Sequence, residues 1–319
     1  MRYIALEEAF TVPDLAKRQP RTALKLRMKP GRAEELRDRL IDFNGERLRE
    51  MDAHGIDVQV LSLGTPGIQA DVDPRRAIDN AKYANDFLAS AIADNPTRFR
   101  GFAALPMQDP PAAIAELRRC IDELGFCGAM VCGHTQGHYL DEPHYEEFWG
   151  ELEATGLPLY LHPGSIDFDS WRVMEGHHEM YGAWSWAAET GGHALRLLYG
   201  GVFDRHPDAH LILGHMGEFL PFQRSRLDSR YLTTVHDRPL QRLPSEYIGT
   251  NILITNSGVF DPAVLAGAVA TIGADAVMFS VDYPYESTAE AVAGFEQTEL
   301  SDVDRAKIAY QNAERVLQL

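Results

Sequence analysis

The sequence is poor in cysteine, in positive charge and in long apolar runs. Three cysteines among 319 residues, at spacings that match no familiar zinc motif, exclude a disulfide-rich scaffold and give no sign of a zinc finger. A formal net charge of −17 argues against nucleic acid as a partner. No apolar run approaches the roughly 18 residues of a membrane span, and the first residues lack the apolar core of a signal peptide. We therefore expect a cytoplasmic protein with neither a membrane nor a nucleic-acid partner.

What the sequence does have is a regular alternation of apolar runs and amphipathic segments. The predicted strands are 3–7, 57–63, 99–105, 127–132, 158–162, 209–214, 250–255 and 276–281. The predicted helices are near 33–53, 75–94, 111–124, 143–155, 184–200, 218–233, 261–271, 286–297 and 301–316. Eight strands, each followed by a helix, predict a (β/α)8 barrel, and no linker divides residues 1–319 into more than one domain.

The alternative fold is an open doubly wound sheet. The sequence offers it no support, because neither glycine-rich phosphate loop, G-x-G-x-x-G or G-x-x-x-x-G-K-[ST], occurs in the chain. Two long irregular segments, 11–32 and 164–183, are predicted to be loops that lie over the mouth of the barrel.

Four of the predicted strands end in a side chain that can bind a metal or move a proton. These residues are Glu7, His162, His215 and Asp282, and Glu218 follows His215 by three positions. A lone histidine at a strand end is more often structural, and Asp282 alone would serve equally well as a cap. Four such groups together favour a functional site, because a barrel brings the C-terminal ends of its strands to one face.

The residue types at these ends suit one divalent ion. Imidazole and carboxylate donors bind Zn, Mn or Mg, and the sequence leaves the choice among them open. Such an ion acts as a Lewis acid for substrate oxygens. His215 would then serve as an acid or base, with Glu218 fixing its tautomer and raising its basicity.

Four motifs resemble one known family. They are Leu6-Glu7-Glu8-Ala9-Phe10, Leu161-His162-Pro163, Gly214-His215-Met216-Gly217-Glu218 and Ser280-Val281-Asp282-Tyr283-Pro284. Together they look like the decarboxylase branch of the amidohydrolase superfamily, which includes the aminocarboxymuconate-semialdehyde, γ-resorcylate, 2,3-dihydroxybenzoate and 5-carboxyvanillate decarboxylases. The resemblance extends over almost the whole chain, and residues 134–142 are especially similar to the 5-carboxyvanillate enzymes.

The resemblance implies a distorted (β/α)8 barrel and a set of metal ligands. Glu7, His162 and Asp282 would hold the metal, and His215 would join them or act on the substrate, with Glu218 behind it. The family's initial His-x-His or Glu-x-His pair is here Glu7 and Ala9. Because a site with fewer nitrogen ligands favours a harder ion, and relatives with the Glu-x-Ala form use Mg or Mn, we expect Mn, with Mg and Zn as alternatives.

The resemblance also implies how substrate is bound and how the subunits are organised. By the resemblance, Arg226 matches an arginine that binds the substrate carboxylate, and Arg47 is a candidate for a second arginine that reaches a neighbouring subunit. Relatives suggest a homodimer or homotetramer. No organic cofactor is implied.

The leading hypothesis is non-oxidative decarboxylation of an ortho-hydroxybenzoate, with Asp282 or His215 protonating the ring carbon that bears the carboxylate. One alternative is a metal-dependent hydrolase or hydratase, in which the metal activates water and His215 is the base. Another is a binding protein without activity, as the missing histidine at position 9 would allow. The presence of His162, His215 and Asp282 argues against a binding protein without activity.

Overall fold

The computed structural model describes residues 1–15, 28–164 and 171–319. Residues 16–27 and 165–170, which belong to the two predicted mouth loops, lie outside these described residues. Within them, no helix is both long and apolar enough to cross a bilayer.

Parallel strands form the centre of the molecule. They are β1 (Tyr3–Phe10), β2 (Ile56–Leu63), β3 (Phe99–Gly101), β4 (Ala103–Ala104), β5 (Ala129–Cys132), β6 (Leu159–His162), β7 (Leu211–Leu213), β8 (Ile252–Thr255) and β9 (Val277–Met278). The strand order is β1-β2-β3 in one sheet and β4 to β9 in sequence order in the other. The predicted strand 99–105 is interrupted at Phe102, so nine segments occupy eight positions and the predicted distorted barrel is confirmed.

The barrel closes where the chain after β9 meets β1. The amide of Ala9 donates to the carbonyl of Tyr283 at 2.7 Å, and the carboxylate of Glu8 accepts from the amide of Val281 at 2.9 Å. The register of β1 against β2 is irregular between Ala5 and Glu8. Both Glu7 and Glu8 are buried there, which places two carboxylates at the seam of the barrel.

Helices surround the strands. The main ones are α1 (Arg32–Leu40), α2 (Glu46–His54), α3 (Pro74–Asp94), α4 (Pro110–Asp122), α5 (Glu146–Thr155), α6 (Trp186–Tyr199), α7 (Arg224–Tyr231), α8 (Pro262–Ile272), α9 (Thr288–Gln297), α10 (Asp302–Ala306) and α11 (Asn312–Val316). One-turn helices cover Val202–Arg205 and Pro244–Tyr247. Apolar residues of α11 and the chain end pack against the cluster that fills the barrel, which includes Leu6, Tyr160 and Ile212.

The prediction of one helix over 33–53 is wrong. The chain leaves the helix after Leu40, and the side chain of Asp42 accepts from the amides of Gly45 at 2.7 Å and Glu46 at 2.5 Å. An aspartate side chain that bonds to amides two to four residues ahead competes with helix hydrogen bonds. It therefore separates α1 from α2.

The prediction of a helix over 218–233 is also too long. Residues His215, Met216, Glu218 and Phe219 have positive φ angles of 47°, 59°, 50° and 63°, and the α-helix begins only at Arg224. Non-glycine residues rarely adopt this left-handed region, and runs of it mark strained turns at functional sites. The turn holds His215 directly after β7 instead of on the side of a helix.

Candidate active site

Three groups from distant parts of the chain meet at the C-terminal face of the barrel. Glu7 lies in β1, His162 ends β6 and Asp282 follows β9, and one ligand atom from each lies within 4.8 Å of the others. We call these three residues the buried cluster, since Glu7 and Asp282 are 1% and 9% exposed. This is the convergence that the strand-end residues predicted.

Glu7 is held so that one carboxylate oxygen faces the other two residues. Its Oε2 accepts from the hydroxyls of Tyr160 and Ser257. Its Oε1 is buried and accepts no hydrogen bond, although His162 Nε2 lies 3.3 Å away. Burial opposes ionisation, but His215 and His162 prevail and lower the pKa of Glu7. Glu7 therefore presents a charged oxygen to the centre of the cluster.

His162 presents a nitrogen lone pair to the same point. Its Nδ1 lies 2.8 Å from the carbonyl of Pro163 and 3.1 Å from the hydroxyl of Thr65. Because a carbonyl can only accept, we assign the ring proton to Nδ1, which leaves Nε2 as the acceptor facing Glu7. A backbone carbonyl on the distal nitrogen is a common way to orient a metal-binding histidine.

Asp282 supplies a second unsatisfied oxygen. It has a φ of 75°, and its Oδ1 is buried without a hydrogen-bond partner. Burial, with the neighbouring charges of Glu7 and Glu8, raises its pKa. Buried polar atoms are rarely left unsatisfied, so two orphaned carboxylate oxygens beside an imidazole lone pair fit a divalent cation among Glu7, His162 and Asp282.

His215 lies beside this cluster and between carboxylates. Its Nδ1 is 3.2 Å from Glu218 Oε1, and its Nε2 is 3.5 Å from Asp282 Oδ2 and 3.6 Å from Glu7 Oε1. Burial lowers the pKa of His215, but Glu7, Glu218 and Asp282 outweigh it and raise that pKa well above the usual value. The structure thus brings together five predicted site residues, with His215 placed to exchange a proton with Asp282.

Gly214 is required by the approach of Glu7 to this turn. A Cβ at position 214 would lie 2.8 Å from both Cδ and Oε1 of Glu7, closer than non-bonded atoms can pack. The glycine before His215 therefore makes room for the carboxylate, which is a reason for the Gly-His pair that sequence reasoning alone did not supply.

A cavity of about 540 Å³ among the described residues opens onto the cluster. Its size is in the range that holds small-molecule ligands. The lining includes His162, His215, Glu218, Asp282, Leu36, Trp186, Phe219, Val259, Tyr285 and Arg32. Among the described lining residues Arg32 is the one arginine or lysine. Its Nη2 donates to the carbonyl of Tyr285 at 3.0 Å, and its Nη1 to Glu35 at 2.7 Å.

The structure does not bring Arg226 and Arg47 into this lining. Arg226 is exposed on α7. Arg47 is fully buried, donates to Gln59 at 3.1 Å and to the carbonyl of Ala9 at 2.7 Å, and lies over the ring of Tyr283. Within this chain Arg47 therefore supports the residues around Asp282 and has no access to the cavity.

Glu8 is a positioning residue that the sequence analysis missed. Its carboxylate accepts from the amides of Val281 at 2.9 Å and Tyr283 at 3.2 Å, on either side of Asp282. Burial raises its pKa to about 7. A second acidic residue inside an apolar strand was the available signal, since buried carboxylates are rare unless they are hydrogen-bonded.

Comparison with known proteins identifies the family to which the chain belongs. Residues 13–319 match the Amidohydrolase family model, so the protein belongs to the amidohydrolase family. A curated γ-resorcylate decarboxylase of Polaromonas sp. strain JS666 is 44% identical over 294 residues, covering 89% of this chain and 90% of the relative.

Solved structures place it further within that family. The dihydroxybenzoic acid decarboxylase of Polaromonas sp. JS666, with bound manganese and 2-nitroresorcinol, is 41% identical with a TM-score of 0.93 over 99% of this chain and 97% of that one. A 5-carboxyvanillate decarboxylase of Novosphingobium aromaticivorans, with manganese and 4-hydroxy-3-methoxy-5-nitrobenzoic acid, is 32% identical with a TM-score of 0.94 over 99% and 96%. The chain thus falls in the decarboxylase branch that its motifs resemble. Although residues 134–142 resemble the 5-carboxyvanillate enzymes, the overall identity to γ-resorcylate decarboxylase is higher.

Proposed function

We propose that this protein is a metal-dependent, non-oxidative decarboxylase of an ortho-hydroxybenzoate. The observation that carries the proposal is the pair of orphaned, buried carboxylate oxygens, Glu7 Oε1 and Asp282 Oδ1, beside a largely apolar cavity that Asp282 lines. The relatives' decarboxylase activity and their manganese support the same conclusion. A flat, anionic aromatic acid matches both the charge of a cation at the floor and the apolar walls.

Glu7, His162 and Asp282 would hold the ion. We propose Mn, with Mg and Zn as alternatives, because two carboxylates and one imidazole make a comparatively hard donor set. When bound, the ion would stabilise negative charge on the phenolic oxygen ortho to the departing carboxylate. No organic cofactor is needed for this chemistry.

The protein's own residues move the proton. The ring carbon that bears the carboxylate gains a proton, the bond from that carbon to the carboxylate then breaks, and its electron pair restores the aromatic ring as CO2 leaves. Asp282 Oδ2 and His215 Nε2 lie 3.5 Å apart, so one can deliver the proton and the other can replace it. Glu218, 3.2 Å from His215 Nδ1, orients the imidazole for this exchange.

The cavity walls would orient the ring. Trp186, Phe219 and Val259 provide apolar contact. We propose that Arg32 binds an anionic group of the substrate, because it is the one arginine or lysine among the described lining residues. The carboxylate-binding role of Arg226 stays a prediction that, given its exposure on α7, needs a neighbouring subunit. The homodimer or homotetramer and the cytoplasmic location also stay predictions.

The test is CO2 release by metal-free protein reconstituted with Mn, Mg or Zn. The substrates are γ-resorcylate, 2,3-dihydroxybenzoate, 5-carboxyvanillate and salicylate, with 4-hydroxybenzoate as the matched control that lacks the ortho hydroxyl. We expect metal-dependent CO2 from at least one ortho-hydroxy acid and none from the control. Protein that binds one metal per chain and releases no CO2 from any of them would favour hydrolase or hydratase chemistry.

A further inference from the structure

A second group of ligand-type side chains lies on the surface, away from the cavity. His138, Glu142 and His144 each offer one ligand atom, and these atoms lie within 4.8 Å of one another. We call these residues the surface cluster. None of them lines the cavity of the active site. We propose that the surface cluster is a second metal site, which binds a divalent transition ion of the zinc class.

The donor atoms lie close to the separations that such an ion needs. His138 Nδ1 is 2.8 Å from Glu142 Oε2, and His144 Nδ1 is 3.8 Å from the same oxygen. Zinc forms bonds of about 2.0–2.2 Å to nitrogen and oxygen, so neighbouring ligands of one ion stand about 3–3.5 Å apart. Small rotations of the two imidazoles would therefore complete the site, with water in the remaining positions.

The carboxylate of the surface cluster is fixed in place by its own turn. Glu142 Oε1 accepts from the amide of Tyr139 at 2.9 Å, which leaves Oε2 for the histidines. The amide of Tyr145 donates to the carbonyl of Glu142 at 3.0 Å, and the ring of His144 packs on that of Tyr145, with centroids 4.0 Å apart. Ligands that are already oriented lose less conformational entropy on binding.

The rest of this segment is anchored to the protein. Thr135 and His138 exchange two backbone hydrogen bonds, of 3.0 and 2.9 Å, which form a tight turn. The indole of Trp149 donates to the carbonyl of Leu140 at 2.8 Å, and Arg196 on α6 binds Asp141 at 2.8 Å. The surface cluster is therefore carried by a braced loop, although its side chains face solvent.

The ligand types indicate which ion binds. Two imidazole nitrogens and one carboxylate oxygen favour ions late in the Irving–Williams order, such as Zn²⁺, over Mn²⁺ or Mg²⁺. The surface cluster should therefore take zinc at concentrations where manganese leaves it empty. Its occupancy is independent of the decarboxylase proposal, because it shares no residue with the buried cluster.

The experiment is a zinc titration with a competing chelator, with bound zinc per chain measured by mass spectrometry of the desalted protein. The readout is the difference in bound zinc per chain between the wild-type protein and His144→Ala. We expect a difference of one zinc per chain. We also expect zinc affinity at this site to fall by about 100-fold or more, because loss of a ligand exceeds the roughly 10–100-fold cost of losing a partner behind a ligand. With manganese in place of zinc, the difference should be zero.

The matched control is His54→Ala. His54 and Glu50 form a histidine–glutamate pair with the same i, i+4 spacing as His138 and Glu142, at 3.9 Å, but no second histidine joins them among the described residues. His54→Ala should bind as much zinc as wild type, and His138→Ala should repeat the loss seen in His144→Ala. Equal zinc binding by wild type, His138→Ala and His144→Ala would overturn the proposal.

Discussion

The buried and surface clusters contain the same ligand types in opposite settings. The buried cluster draws Glu7, His162 and Asp282 from three strand ends, separated by more than a hundred residues along the chain. The surface cluster comes from a seven-residue stretch of one loop, and its histidine side chains are 59% and 44% exposed. In the buried cluster, carboxylate oxygens lack partners, whereas in the surface cluster Glu142 already has an amide and a histidine.

This difference in setting distinguishes a site that can use a metal in catalysis from a site that only binds one. A buried, under-satisfied cluster is costly without a cation, and it opens on a largely apolar cavity. An exposed cluster costs little when empty and exerts a weaker field on its surroundings, because solvent screens it. We therefore expect catalysis to depend on the buried cluster and the residues beside it, and not on the surface cluster.

The largest effect should come from the proton-transfer residues. Asp282→Asn and His215→Asn should each lower kcat by about a thousandfold or more, since each removes an acid–base group and alters the field at the reacting carbon. His144→Ala, as the control, should stay within about twofold of wild type, because it lies at the surface cluster. The measurement is steady-state CO2 release with saturating manganese. Near-normal turnover in either Asn variant would remove that residue from the mechanism.

A steric change next to Glu7 should weaken metal binding at the buried cluster, which is the second-largest effect we expect. Gly214→Ala places a methyl group against the Glu7 carboxylate, so manganese affinity should fall by about 10–100-fold as the carboxylate is displaced. Gly192→Ala is the matched control, because a Cβ there meets nothing within 4 Å. Gly192 lies inside α6, so this variant should keep full manganese affinity. Its free energy of unfolding should rise by up to about 1 kcal/mol. Equal manganese affinity in the two variants would contradict the packing argument.

A smaller effect is expected at the cavity wall. Arg32→Ala should raise KM for the aromatic acid by about tenfold, the cost of one hydrogen bond to a charged group, with kcat changed less. Arg226→Ala is the comparison, since Arg226 lies outside the lining. If Arg226→Ala raises KM and Arg32→Ala does not, the substrate carboxylate is bound by the residue that the sequence indicated, across a subunit boundary.

The last effect is on stability instead of activity, and it concerns the support of the surface cluster. His193 Nε2 accepts from the amide of Leu140 at 2.9 Å, and burial, with the charges of Arg196 and His134, lowers its pKa to about 3. The unfolded chain takes up this proton near pH 6.5 and the folded protein does not, so stability falls as pH drops from about 6.5 towards 3. Between pH 8 and pH 5 the free energy of unfolding, measured with urea, should fall by about 2 kcal/mol less in His193→Gln than in wild type. Identical losses would mean that His193 is not held neutral.

The sequence predicted the barrel and the five residues grouped at its C-terminal face for a physical reason. Each of Glu7, His162, His215 and Asp282 stands at the end of an apolar run, or one residue beyond it, and parallel strands bring such ends together. The break at Asp42 and the left-handed turn after Gly214 depend on local hydrogen bonds and close contacts that no periodicity records. The burial of Arg47 depends on tertiary packing, which the resemblance that suggested its role does not record.

The most direct test of the central claim measures manganese content and CO2 release on the same samples of wild type, Asp282→Asn and His144→Ala with γ-resorcylate. We predict that CO2 release by wild type and His144→Ala follows bound manganese up to one ion per chain, and that Asp282→Asn releases almost none. CO2 release that is independent of manganese, or that persists in Asp282→Asn, would contradict a decarboxylase built on the buried cluster.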